Sequence, residues 1–309
     1  MSKKHLPLIS TREFKQRALE MGADLVGIGS VDRYDGCPAN EDPRYILPTA
    51  KCVVGAAFRI PRGIMETMET QPYAYTALGV KNLAEEQTTI FLLKIARLIE
   101  DMGYEACVQR SCPNLLPKGN TGTNPEVQEA FPLNNALSVD GVRPAPDILM
   151  DFEKSGEICG LGTVGRHGKL ITPEFGPYQR LTFIVTNAPF DADPMLEQAL
   201  CDGCGACEKA CPGKAVAENG VDPWQCAVYY RGAHRDNPMI TEAYLQKMQD
   251  RPEVLEGTAR FDEQSAREIF PLLQFLPPTH YGYVPCLCGN KCLRSCYRHL
   301  KEKGVLRNE

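Results

Sequence analysis

The residues with the clearest chemistry are Cys201, Cys204, Cys207 and Cys211, spaced Cys-x2-Cys-x2-Cys-x3-Cys and followed by Pro212. Thiolates two residues apart can wrap one face of a 4Fe-4S cube, and Gly203, Gly205 and Ala206 leave the backbone room to curl around inorganic sulfide. In this spacing the fourth cysteine serves a different cluster, so the run calls for further thiolates from elsewhere in the chain. Cys226 follows after a short polar loop, and the tail supplies Cys286, Cys288, Cys292 and Cys296. A zinc ribbon would need only four ligands in paired knuckles, and a disulfide framework does not suit a chain without an export signal. Two 4Fe-4S clusters are the expectation.

The elements that must position these thiols come from an ordinary globular composition. The chain has 309 residues, 43% hydrophobic and 24% charged, enough for one large or two smaller domains. A formal net charge of -5 argues against a general nucleic-acid binder. The first residues lack an apolar leader and no run of eighteen apolar residues occurs, so a soluble, cytoplasmic protein with no membrane contact is expected. Cys37, Cys52, Cys107, Cys112 and Cys159 stand apart from the cluster spacing and read as reduced thiols.

Ser10 to Glu13 has the form of a capping box opening a helix that Gly22 ends. Residues 24–30 and 50–58 read as apolar strands, and 80–102 as the longest helix, with apolar positions at helical period. Residues 104–108 follow as a strand. Residues 111–132, rich in Pro, Asn, Gly and Thr, read as a long loop of the kind that covers a site. A short helix over 147–156 leads into the glycine turn Gly160, Leu161, Gly162, Thr163, Val164, Gly165, Arg166. Residues 169–172 and 181–186 are expected to pair as an antiparallel hairpin. The fold class is therefore α+β, with the cluster region beginning near residue 200.

This order of parts resembles the cobalamin-dependent reductases that include epoxyqueuosine reductase and the reductive dehalogenases. The residues carrying it are 22–28 (Gly-Ala-Asp-Leu-Val-Gly-Ile), 47–54 (Leu-Pro-Thr-Ala-Lys-Cys-Val-Val), the Gly160–Gly165 turn and the two cluster motifs. The resemblance implies a nitroreductase-like, corrinoid-binding core over 1–195 and a ferredoxin-like domain with two 4Fe-4S clusters over 196–309. It implies an oxidoreductase in which the clusters feed electrons to a bound corrinoid (cobalamin) that reductively cleaves a C–O or C–halogen bond of a small substrate. An external low-potential donor, ferredoxin or flavodoxin-like, would supply the electrons.

Carried over by residue, the resemblance joins Cys201, Cys204 and Cys207 to Cys296, and Cys211 and Cys226 to Cys288 and Cys292. Relatives have Cys-x2-Cys-x3-Cys-Pro in the tail where this chain has Cys288, Cys292, Cys296 and Tyr297, so Cys286 could take the place of Cys288. Gly160, Leu161, Gly162, Gly165 and Arg166 would contact the corrinoid, with Arg166 standing where relatives often have lysine. Asp147, at the start of the helix before the turn but displaced by about one residue from the family's pattern, would be the proton donor; Tyr73, Tyr75 and Tyr178 are the tyrosine candidates, with Tyr75 next in line, and a helix-start aspartate is also an ordinary N-cap. His167 and His234 could ligate cobalt or be structural. The chain ends soon after Cys296 without a further helical domain for tRNA, so tRNA is not an expected partner. The alternative reading is a two-cluster electron-transfer protein without corrinoid chemistry, and a flavin in the core is a third.

Overall fold

The computed structural model describes residues 6–70, 80–110, 150–275 and 286–307. Helix α1 (Thr11–Glu20) begins where Ser10 caps it, its hydroxyl accepting from the Glu13 amide at 3.2 Å. Only half of the expected capping box forms, because the Glu13 carboxylate takes Arg17 one turn on, at 2.7 Å. Gly22 ends the helix in the left-handed region, at φ +110°. Then come strands β1 (Leu25–Ser30) and β2 (Cys52–Arg59), helices α2 (Arg62–Glu66) and α3 (Val80–Asp101), and strand β3 (Ala106–Gln109). Helix α4 (Phe152–Ile158) and strands β4 (Thr163–Val164), β5 (Leu170–Ile171) and β6 (Gln179–Thr186) complete this half.

The main sheet has the order β1-β2-β6-β3 with every pair antiparallel. Its central strand β2 shows why the layers form. Cys52, Val54, Ala56 and Phe58 face Phe14 of α1 and Phe91, Ile95 and Ile99 of α3. Val53 and Ala57 face the other way, toward Ile158, Cys159 and Leu161 at the end of α4. With period two along a strand, this alternation requires cover on both faces, and helices supply it.

Two expected elements form differently. The helix expected over 147–156 starts at Phe152, and its cap is Asp151, whose Oδ1 accepts from the Glu153 and Lys154 amides at 2.9 and 3.0 Å. The expected hairpin of 169–172 with 181–186 is not made. β5 pairs with β4, while β6 lies between β2 and β3. β6 carries Leu181, Phe183 and Val185 on one face and Ile184 on the other, all buried in the two core clusters on either side of the sheet, and it pairs along both edges.

The second half contains α5 (Ala206–Ala210), a ribbon of β7 (Val216–Ala217) and β8 (Gly220–Val221), and α6 (Pro223–Tyr230). Helices α7 (Glu242–Lys247), α8 (Pro252–Leu255) and α9 (Glu263–Ile269) enclose a core of Val228, Tyr229, Tyr244, Met248 and Ile269. Helix α10 (Lys291–Glu302) lays Tyr297 and Leu300 against Ile60, Met65, Ile171 and Tyr178 of the first half. The Tyr178 and Tyr297 rings stack at 4.2 Å and 7°, so the two halves share a continuous apolar seam. Among the described residues no helix is long and apolar enough to cross a membrane.

Helix α6 carries Cys226, and Asp222 caps it by accepting from the Trp224 and Gln225 amides, both at 3.0 Å. Asp222→Ala is expected to cost about 1 kcal/mol of stability, read by thermal unfolding of the metal-free chain. Asn at the same position should restore most of it.

Candidate metal centre

The cysteine run folds as its spacing requires. Gly203 and Gly205 both lie in the left-handed region, at φ +73° and +72°. They turn the backbone about Cys204 so that Cys201, Cys204 and Cys207 face one pocket. Helix α5 then stops at Cys211, which is extended at φ -72° and ψ 116°. That break, followed by Pro212, sends the fourth thiol away from the first three.

Helix α10 supplies the partners. Cys292 and Cys296 are four residues apart, on one face but about 6 Å apart along the axis. Cys296 lines the pocket with Cys201, Cys204 and Cys207, together with Arg166, His167 and His299. The pocket is partly open to solvent, with Cys204 exposed at it. Cys292 instead neighbours Cys288, Cys226 and Cys211. The eight cysteines thus lie in two neighbourhoods of four. Each group takes thiols from α10 and from the 201–226 segment.

Cys286 and Cys288 are separated by position and by contacts. Cys286 is buried, donates to Asn290 Oδ1 at 3.2 Å and sits 3.7 Å from the Cys288 sulfur. Cys288, not Cys286, neighbours both Cys226 and Cys292. Cys286→Ser is therefore expected to keep the full iron content, and Cys288→Ser to lose about half of it, on anaerobic iron analysis.

The chemistry of the donor set fits iron–sulfur clusters. Burial pushes the Cys207 and Cys296 thiols up, and Cys226 up to about 12. Burial also lifts Cys292, while the hydrogen bond with Cys286 and burial raise Cys288 well above an ordinary thiol. Without metal these sulfurs stay protonated and neutral. Convergent thiols of this kind would release their protons to solvent on binding a metal centre, which takes the protons' place.

The glycine turn serves the protein's own packing. A Cβ on Gly160 would lie 2.4 Å from the Pro194 carbonyl oxygen, and one on Gly162 would lie 2.1 Å from that of Ile171. A Cβ on Gly165 would meet the Ile171 side chain at 2.7 Å and the His167 ring at 3.0 Å. Leu161 is buried in the core beneath the sheet. Arg166 turns to the cluster pocket and pairs with Glu208 at 3.6 Å. At Gly160 and Gly162 the close approach is thus to the protein's own backbone at Pro194 and Ile171.

Of the histidines considered for cobalt, His234 is buried and bonds through Nε2 to the Leu287 carbonyl at 3.2 Å, holding the segment before Cys288. Asp147, Tyr75 and the 111–132 loop lie outside the described residues. Cys52 and Cys159 are buried free thiols, and Cys37 and Cys107 are half-buried ones; Cys112 also lies outside the described residues.

Sequence reasoning missed a polar group beside the first four cysteines. Asp202 accepts from Lys303 Nζ and pairs with His299 Nε2 at 2.9 Å. Lys303 and His299 hold its carboxyl well below the usual carboxylate range. The available signal was helical spacing: His299 follows Cys296 by three residues on α10, and Lys303, the residue that caps its C-terminus, follows by seven.

A model of the 4Fe-4S binding domain matches residues 195–217. The epoxyqueuosine reductase of Synechococcus sp. (strain RCC307) is 36% identical over 233 residues, covering 72% of this chain and 66% of that one. The tetrachloroethene reductive dehalogenase of Sulfurospirillum multivorans is 44% identical over 63 residues, 19% of this chain and 13% of that one. The chain belongs to the family of epoxyqueuosine reductases and reductive dehalogenases. Apart from the RCC307 protein, the chain spans only 31% of the epoxyqueuosine reductase of Synechococcus sp. (strain CC9605). A solved family member, an epoxyqueuosine reductase with an epoxyqueuosine-modified tRNA-Tyr stem loop, is 15% identical and covers 89% of this chain and 70% of that one, at a TM-score of 0.44.

Proposed function

We propose that the chain is a two-cluster iron–sulfur reductase, with a catalytic core over 1–195, nitroreductase-like in fold, and a ferredoxin-like domain over 196–309. The observation that carries this reading is the sorting of eight cysteines into two interleaved groups joined by α10. Cys201, Cys204, Cys207 and Cys296 would hold one 4Fe-4S cluster, and Cys211, Cys226, Cys288 and Cys292 the other. When bound, the clusters supply low-potential one-electron storage. The chain buries seven of these eight thiols at least partly and leaves Cys204 exposed, so the first site is open toward an external donor of the ferredoxin or flavodoxin class.

The activity that the family implies is reductive cleavage of a C–O or C–halogen bond of a small substrate with a corrinoid, and Asp147 and Tyr75 are the proposed proton donors. A second reading is favoured by a specific observation. The glycine turn expected to meet the corrinoid faces Pro194, Ile171 and the cluster pocket, as suits a two-cluster protein that delivers electrons to a partner. Visible spectra and acid extraction of anaerobically purified protein separate the two. A resolved corrinoid spectrum at about one per chain supports the first; a broad brown band alone supports the second, and a released yellow fluorophore would point to flavin. Substrate class is tested by gel shift: the net charge of -5 predicts weak tRNA binding at physiological salt, and tight, tRNA-specific binding would make a tRNA nucleoside the substrate.

A further inference from the structure

His167 is the buried polar group whose hydrogen bonding the protein leaves incomplete at the first cysteine pocket. Its ring lines that pocket beside Cys201, Cys204, Cys207 and Cys296, and the residue is 5% exposed. The Lys169 amide donates to its Nδ1 at 3.2 Å, so Nδ1 holds the lone pair. In a neutral ring the proton then sits on Nε2. Burial, with Lys169 nearby, keeps the ring neutral by lowering its pKa to about 4. Nε2 is buried with no hydrogen-bond partner among the described residues.

A buried N–H without an acceptor is costly, so whatever fills the pocket should supply one. The carboxylates at the pocket are already engaged: Asp202 with His299 and Lys303, and Glu208 with Arg166. A cluster on Cys201, Cys204, Cys207 and Cys296 would bring sulfur acceptors into the same pocket. Gly165 belongs to the same arrangement, since a Cβ there would lie 3.1 Å from Nε2 and crowd the ring.

We propose that His167 donates its Nε2–H to a sulfur of the cluster held by Cys201, Cys204, Cys207 and Cys296, and thereby raises that cluster's reduction potential. The proposal rests on the two-cluster reading above. Sulfur carries more negative charge once the cluster has taken an electron from the external donor, so the hydrogen bond strengthens on reduction and favours the reduced form. The proton stays on Nε2 throughout, and no bond of the protein is made or broken.

The test is an anaerobic redox titration of the holoprotein followed by EPR, with His167→Leu and His167→Gln beside the wild type. His167→Leu should keep full iron and move one of the two midpoints to a more negative value, with about fivefold less of that cluster reduced at a fixed poise. The other midpoint should stay in place, and His167→Gln, whose amide can still donate, should fall between. Two unchanged midpoints at full iron in His167→Leu would overturn the proposal. Should His167→Leu lose iron, pulsed EPR of the reduced wild-type protein labelled with 15N-histidine decides. A weak nitrogen coupling that survives His299→Gln is expected, and its absence overturns the proposal. A wild-type protein with half the iron, or with zinc, would instead show that the two-cluster reading had failed.

Discussion

Cys211→Ser removes one cluster and spares the other: about four irons per chain remain, with a single EPR-active centre. The expectation follows from backbone direction. Helix α5 ends at Cys211 in an extended conformation, so its sulfur leaves the pocket of Cys201, Cys204 and Cys207 and joins the neighbourhood of Cys226, Cys288 and Cys292. Its sulfur also accepts from the Ala215 amide at 3.3 Å, a contact that serine can keep, so the change falls on the metal rather than on the fold. Cys201→Ser should give the complementary loss. If both variants lost the same centre, or if either lost all iron while folded, the division into two groups would be wrong.

Gly257→Ala has the largest expected effect on stability outside the cysteines. Gly257 is in the left-handed region at φ +72°, and a Cβ there would stand 1.9 Å from the Pro212 carbonyl oxygen. The obstacle is backbone, and it is the backbone that follows Cys211. Strain and displacement together should cost about 3 kcal/mol or more, with loss of the cluster that uses Cys211. Gly304→Ala is the control, because Gly304 has φ +66° but no atom within 4 Å of the added carbon. It should cost about 1 kcal/mol, the conformational penalty alone. Thermal unfolding and iron content of the two variants check this; equal losses would show that the approach to Pro212 is unimportant.

What could be read from the sequence was what short spacing governs. Cys201 to Cys207 with Gly203 and Gly205 describe a local curl, and Cys292 and Cys296 a helix face, and both features are present in the fold. Ser10, Gly22 and the apolar run of β2 were legible for the same reason. The errors lie where the partner is distant in the chain. β5 and β6 are both short apolar runs, and nothing local in them says that β6 must be covered on two faces while β5 pairs with β4. The helix placed at 147–156 is capped by Asp151, a second aspartate that local sequence alone did not single out.

The glycine turn shows the limit most clearly. Gly160, Gly162 and Gly165 signal close approach, and the structure shows one to Pro194 and Ile171. A sequence pattern can say that a backbone must come near something without saying what. The Asp202, His299 and Lys303 group was missed for a related reason: its members are separated by most of the cluster domain and meet only when α10 packs on α5.

Iron and acid-labile sulfide analysis of the anaerobically purified wild-type chain bears most directly on the account. Two interleaved groups of four thiols predict about eight irons and eight sulfides per chain. Near four of each, or stoichiometric zinc without sulfide, would contradict it.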